Sequence, residues 1–325
     1  MASMSRRALI VGINHYDNSG VSNLSGCIPD ANAMREVLSR HEDNRPNYDC
    51  LMLTSDASRV TRVNLRSALV ELFAFDGDVL FYFSGHGSLE ETGGYLVSQD
   101  GEPGDPGIHM DEVIRLANGS RARSILVIID CCFSGNMGNV SANQGGQHAQ
   151  AQLREGMTIL AASRPSEPSM EVGGQGVFTE LVVGALKGGA ANVRGRVSAA
   201  SIYGYVEAAL GAWDQRPIYK SHAKQLDSVR ECEPLILDDL LRKIPEFFPA
   251  SDHVYMLDPT FEEQNVHCAT PENVAIFKIF KQYQITGLLK NRSGRDLYWT
   301  AEQSGGVYLT PLGEFYWRLA SGGRI

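Results

Sequence analysis

Three stretches of the 325-residue chain are apolar at almost every position: ALIVGI (residues 8–13), DVLFYFSG (78–85) and SILVIID (124–130). Each has the length of a strand, and none approaches the ~18 apolar residues that a membrane-spanning helix needs. A strand with one wet face alternates apolar and polar side chains, so uninterrupted runs require burial on both faces, as in a parallel sheet covered by helices. LMLT from Leu51 and MTILAAS from Met157 read as further strands, and PIYK from Pro217 as an edge strand, because proline withholds a ladder N–H. Helical patterns fall between them at residues 30–40, 61–75 with Thr61 as N-cap, 110–116, 178–186 and 199–213. The alternation predicts an α/β fold, a parallel-rich sheet with helices on both faces.

Two segments break the rhythm. Residues 135–156 are rich in Gly, Asn, Gln and Ser without apolar periodicity, which predicts a long surface loop. After about residue 230 a helical LILDDLLRKIPEFF is followed by a proline-marked break at 257–259 and a helix at 273–289. DLYWTAEQSGGVYLT then predicts a hairpin turning at Gly305 and Gly306, and Pro311 the first turn of a last helix. The expected division is a domain at 1–230 and a smaller α+β unit at 231–325, of winged-helix-like pattern.

The formal net charge of −9 gives no support to broad nucleic-acid binding and favours basic substrates. Lys278, Lys281, Lys290, Arg292 and Arg295 supply local positive charge in the last unit, which reads equally well as a structural appendage. The start MASMSRRALIVGIN is too short in apolar residues for a secretory signal, and the six cysteines show no paired metal spacing. Free thiols in a cytoplasmic chain with no membrane association are the expectation.

In open parallel sheets, function gathers beyond the carboxyl ends of the strands. There stand SGHG (84–87) and DCCFSG (130–135), a histidine and cysteines at the ends of two buried strands. A thiol with a free pKa of about 8.5 is mostly protonated at neutral pH, so an imidazole opposite it generates the thiolate. Strand alternation puts Asp130 and Cys132 on one face and Cys131 on the other, so Cys132 is the expected nucleophile, with Cys131 a packed core thiol.

ALIVGIN, GCIPDA, FYFSGHG, IIDCCFSG and GVFTELVVGALKGG, in that order over the first two thirds of the chain, resemble the metacaspases and prokaryotic caspase-like peptidases (orthocaspases) of the caspase-haemoglobinase fold. The resemblance implies that His86 is general base and acid, that Cys132 attacks the scissile carbonyl, and that the N–H groups of Gly87 and Cys132 form the oxyanion hole. It also implies an S1 pocket from Cys27, Asp30, Ser84 and Asp130, whose carboxylates suit Arg or Lys at P1. A weakly active cytoplasmic precursor is expected, cut in the loop at 136–155 by itself or by an activating protease, with Arg154 the candidate site. The implied setting is regulated proteolysis in bacterial death or antiviral defence.

No cofactor is expected. Several relatives use calcium, and Glu91, Asp100, Asp105 and Asp111 are the acidic residues a site would draw on, but their spacing fits no EF-hand and predicts a solvated acidic loop. Two other readings stand beside the peptidase. One is a catalytically silent caspase-like scaffold that recruits partners, although such chains usually lose the His or the Cys. The other is a metal enzyme, disfavoured because adjacent cysteines poorly supply tetrahedral ligands.

Overall fold

The strand β1 (Arg6–Gly12) is buried along its apolar length and pairs in parallel with β2 (Asp49–Thr54) on one side and β3 (Asp78–Ser84) on the other. This computed structural model describes residues 5–131, 153–162, 171–172, 175–210, 217–223, 228–292 and 294–325; Cys132, most of the loop after it and Arg164 lie outside them. Two compact units result, Met1–Ala191 with Arg196–Glu233, and Asn192–Gly195 with Pro234–Ile325.

In the first unit α1 (Cys27–Ser39) follows β1, and α2 (Arg62–Phe73) follows β2. After β3 come β4 (Gly87–Glu90), β5 (Gly93–Glu102), β6 (Asp105–His109), α3 (Met110–Asn118), β7 (Ser124–Asp130) and β8 (Met157–Ala161). Two short strands, β9 (Glu171–Val172) and β10 (Gln175–Gly176), lead into α4 (Val177–Gly184). Then follow β11 (Arg196–Ser198), α5 (Ala199–Leu210), β12 (Ile218–His222) and β13 (Ser228–Glu231). The six-stranded sheet runs β12-β8-β7-β3-β1-β2 and is parallel except for β12, which lies antiparallel at the edge, where a strand opening after proline belongs.

Alternate residues of the central strands enter two cores. Leu9, Val11, Phe81, Phe83, Val127 and Ile129 pack with Leu65 and Leu69 of α2 and Val113 and Ile114 of α3. Ile10, Leu80, Tyr82 and Ile128 pack against Met34 of α1, Val182 of α4 and Val206 of α5. Thr61 caps α2 as its sequence predicts, accepting the N–H of Asn64 at 3.3 Å.

Residues 87–109 correct an expectation. Instead of a solvated acidic loop they form an antiparallel sheet, β4-β5-β6, because Leu96, Val97 and Ile108 are buried in the core beside α2 and α3. The first helix also begins three residues earlier than the sequence suggests, at Cys27, which places Asp30 in its first turn.

The second unit contains α6 (Asp238–Arg242), α7 (Ile244–Phe247), β14 (Tyr255–Met256), α8 (Pro271–Ile285), β15 (Leu289–Asn291), α9 (Leu297–Glu302), β16 (Gly306–Leu309) and α10 (Pro311–Ser321). Phe247, Phe248, Tyr255, Phe280 and Tyr283 meet at its centre, mostly at tilted and edge-on ring angles, with Phe280 and Tyr283 stacked at 29°. Here the predicted hairpin fails: LYWTAE is helix α9, capped by the Asp296 side chain on the N–H of Tyr298 at 2.8 Å, and β16 pairs with β14 and β15 instead.

Candidate active site

The chain leaves β1 for β2 on one side of the sheet and leaves β3 for β7 on the other. The crevice between the carboxyl ends of β1 and β3 is therefore the topological switch point, the place where such sheets bind ligands. Gly12, the last residue of β1, sets its floor. A Cβ there would stand 2.4 Å from the Cys27 carbonyl oxygen and 2.9 Å from the Ala31 Cβ, so only glycine allows α1 this close. Gly26 offers α1 no capping side chain. Asn14 supplies it from the end of β1, its Oδ1 accepting the N–H groups of Cys27 at 2.9 Å and Ile28 at 3.3 Å.

His86 follows β3 and is gripped by the loop after β1. Its main-chain N–H donates to the Tyr16 Oη at 2.8 Å, and the phenol donates to the Ile13 carbonyl at 3.2 Å. The two rings stand 5.0 Å apart. Burial, first of all, holds the Tyr16 hydroxyl far above its ordinary pKa, so it stays a neutral donor and acceptor. The imidazole Nε2 lies 2.8 Å from the Ser22 carbonyl oxygen. A carbonyl only accepts, so Nε2 carries the hydrogen of the neutral ring and Nδ1 keeps the lone pair. Gly87, the next residue, opens β4. Sequence reasoning found His86 but missed Asn14, Tyr16 and Ser22, which look like ordinary turn residues in the segment between β1 and α1.

The carboxylates come together at the same end of the sheet, around the last residues of β3 and β7. Asp130 ends β7 in register with Ser84 of β3, and Asp30 comes from the first turn of α1. Both are buried, at 6% and 3% exposure. Ser84 Oγ donates to Asp30 Oδ2 at 3.2 Å, as does the N–H of Gly176 at 3.3 Å. Asp130 Oδ2 accepts the Thr179 hydroxyl at 2.6 Å and its N–H at 3.2 Å. Both oxygens face Gly176: a Cβ there would meet Asp130 Oδ2 at 2.5 Å and Asp30 Oδ2 at 3.1 Å. Cys27 opens α1, buried, one turn before Asp30. Three of the four residues read as an S1 pocket, Asp30, Ser84 and Asp130, thus form one cluster, joined by Gly176 and Thr179.

Cys132 lies outside the described residues. It stands two residues after Asp130 in the sequence, as His86 stands two after Ser84, and Ser84 and Asp130 are register partners. Cys131 is buried in the core beside α2 and α3, on the face away from Asp130, as alternation predicts. Two other thiols are shielded: burial pushes Cys50 up to about 11 and raises Cys232.

Arg154 is held by main-chain carbonyls, Nη1 on Ser120 at 2.5 Å, Nη2 on Ala122 at 2.8 Å and Nε on Glu155 at 3.2 Å, while its N–H donates to Asn118 Oδ1 at 2.9 Å. These bonds tie the start of β8 to the turn before β7. Arg154→Ala is expected to lower unfolding free energy by about 1–3 kcal/mol, the range for hydrogen bonds made by a charged donor; urea denaturation measures it, and an unchanged midpoint would refute the tie.

Two of the four acidic residues considered for calcium, Asp100 and Asp105, are engaged within the fold. Asp105 meets the Arg62 guanidinium at 2.6 Å, and Asp100 Oδ1 accepts the Arg62 N–H at 2.8 Å and the Ser98 hydroxyl at 2.7 Å. Among the described residues no group of three or more His, Cys, Asp or Glu side chains is arranged to hold a metal ion.

A histidine fixed at the switch point of a parallel-rich sheet, beside a strand that runs into a cysteine pair, defines the caspase-like class of α/β proteins. The caspase domain family matches residues 5–227. Among solved structures, protein GSU0716 from Geobacter sulfurreducens aligns with a TM-score of 0.51 at 20% identity, covering 71% of this chain and 98% of that one. Caspase-1 from Spodoptera frugiperda aligns with a TM-score of 0.52 at 12% identity, covering 70% and 90%. A search of curated proteins finds no match. The chain belongs to the caspase-domain family of cysteine peptidases.

Proposed function

We propose that this peptidase cleaves after Arg or Lys, with Cys132 as nucleophile and His86 as its base. The observation that carries the specificity is the convergence of two buried carboxylates on Gly176, since an arginine guanidinium pairs with carboxylates through directed, charge-assisted bonds. In the dyad, Nδ1 of His86 takes the thiol proton, because Nε2 already donates to the Ser22 carbonyl. The Cys132 thiolate adds to the scissile carbonyl, and the oxyanion is received by the N–H groups of Gly87 and Cys132. The protonated His86 then gives its proton to the leaving amine, and water releases the acyl group from sulfur.

Processing in the segment 136–155 belongs to the same reading. Arg154 suits an S1 pocket of this charge, and its carbonyl contacts make cleavage there depend on local opening of the tie to Ser120 and Ala122.

Turnover of a peptide series differing only at P1 tests the reading. Arg and Lys peptides are expected to be cleaved at least about a hundred-fold faster than Asp or Gln peptides, because a site built for a charged partner rejects analogues that leave its buried groups unpaired. Asp30→Asn, which keeps the shape and removes a charge, is expected to shrink that ratio. Efficient cleavage after Asp, with little after Arg, would reverse the assignment.

A further inference from the structure

Resting on that reading of the S1 pocket, we propose that Thr179 is a positioning residue for P1 recognition, which aims the Asp130 carboxylate with Tyr82 behind it. Gly176, the N-cap of α4, has no side chain to satisfy the exposed N–H groups of the helix's first turn. The two carboxylates do it instead: the Gly176 N–H goes to Asp30 and the Thr179 N–H to Asp130. The helix start thus fixes both acids at once, each through its Oδ2.

The hydroxyls set a definite order of protons. Thr179 Oγ1 lies 2.6 Å from Asp130 Oδ2 and 2.6 Å from the Tyr82 hydroxyl, and it has one hydrogen. An ionised carboxylate only accepts, so Thr179 donates to Asp130 and accepts from Tyr82. Tyr82 is fully buried, and desolvation, with the nearby Asp130 and Asp30 charges, pushes its pKa upward. It therefore remains a donor. The chain Tyr82 to Thr179 to Asp130 holds Oδ2 by neutral donors, so the anion is oriented without losing its charge. Thr179 itself is 1% exposed and sits behind the acid, acting on substrate through Asp130 alone.

Thr179→Val separates this role from mere packing. It keeps the volume and the main-chain N–H but removes the hydroxyl. The expected result is a ten-fold or larger rise in KM for an Arg-P1 peptide with kcat within about two-fold, no comparable change for a Gln-P1 peptide, and near wild-type behaviour in Thr179→Ser. Thr179→Val also takes from the Tyr82 hydroxyl its acceptor at 2.6 Å, leaving Ser84 as its side-chain partner, so the double variant Thr179→Val/Tyr82→Phe, which removes both members of the pair, recovers part of the lost stability by urea denaturation. Its KM is expected to stay high. A KM that returned to normal with stability would overturn the positioning role, as would a Thr179→Val enzyme matching a wild type that prefers Arg. A wild type indifferent between Arg and Gln at P1 overturns the S1 reading and this inference with it, and is distinguishable because it shows before any substitution is made.

Discussion

Cys132→Ala is expected to abolish peptide hydrolysis, lowering kcat by about a thousand-fold or more, as removal of a nucleophile does in acyl-transfer sites. His86→Ala should fall by a similar factor, and the double variant little further, because the two act as one unit. Cys131→Ala is the contrast. Its side chain lies in the core against the α2 and α3 side of the sheet, so the variant loses a small buried group, on the order of 1 kcal/mol of stability, and retains turnover. Hydrolysis of a fluorogenic Arg-P1 peptide by purified proteins of confirmed fold measures all four. An active Cys132→Ala with a dead Cys131→Ala would exchange the roles of the two thiols.

The base in this scheme owes its orientation to a neighbour that carries no charge. The Ser22 carbonyl fixes the Nε2 hydrogen, Tyr16 fixes the main chain of His86, and the Val97 N–H holds the His86 carbonyl at 3.0 Å. A carbonyl in this place sets the tautomer as a carboxylate would, without adding a full negative charge at Nε2.

Which parts of this were legible in the sequence follows from what leaves a pattern. Strands buried on both faces write themselves as apolar runs, so β1, β3 and β7 and the residues at their ends could be read directly. LYWTAE could not, because Tyr and Trp favour strands in general while the Asp296 cap and the burial of Leu297, Thr300 and Ala301 decide for a helix here. The sheet β4-β5-β6 was hidden by its acidic and glycine residues; Asp105 pairs with the Arg62 guanidinium and Asp100 accepts the Arg62 N–H, partners far away in sequence. Tyr16 and Ser22 act through a phenol oxygen and a main-chain carbonyl, and nothing in a sequence marks which carbonyl a histidine will face. Thr179 was hidden too: the sequence reads this helix from residue 178, and only its start at Val177 behind Gly176, which has no capping side chain, shows that the pair of aspartates must cap it.

Gly176→Ala is the sharpest test of where those aspartates meet. The backbone at Gly176, with φ −70° and ψ 124°, is ordinary for alanine, so the substitution carries no conformational strain of its own. Its methyl group, however, would lie 2.5 Å from Asp130 Oδ2, a distance no real contact tolerates, and 3.1 Å from Asp30 Oδ2. Thr179 grips that same Asp130 oxygen from its hydroxyl and its N–H, so the carboxylate has to break one of these bonds or carry the start of α4 with it. Either way the acid moves by about an ångström from its aim, and a displacement of that size can cost on the order of a hundred-fold in rate when geometry fixes the substrate. The expected outcome is a loss of about that size in kcat/KM for Arg and Lys peptides, with a much smaller loss for a Gln-P1 peptide, whose side chain does not depend on the paired charges. Thermal melting separates the two causes: destabilisation alone lowers all substrates together. Full retention of Arg cleavage in a folded Gly176→Ala enzyme would place the P1 side chain away from this pair of carboxylates.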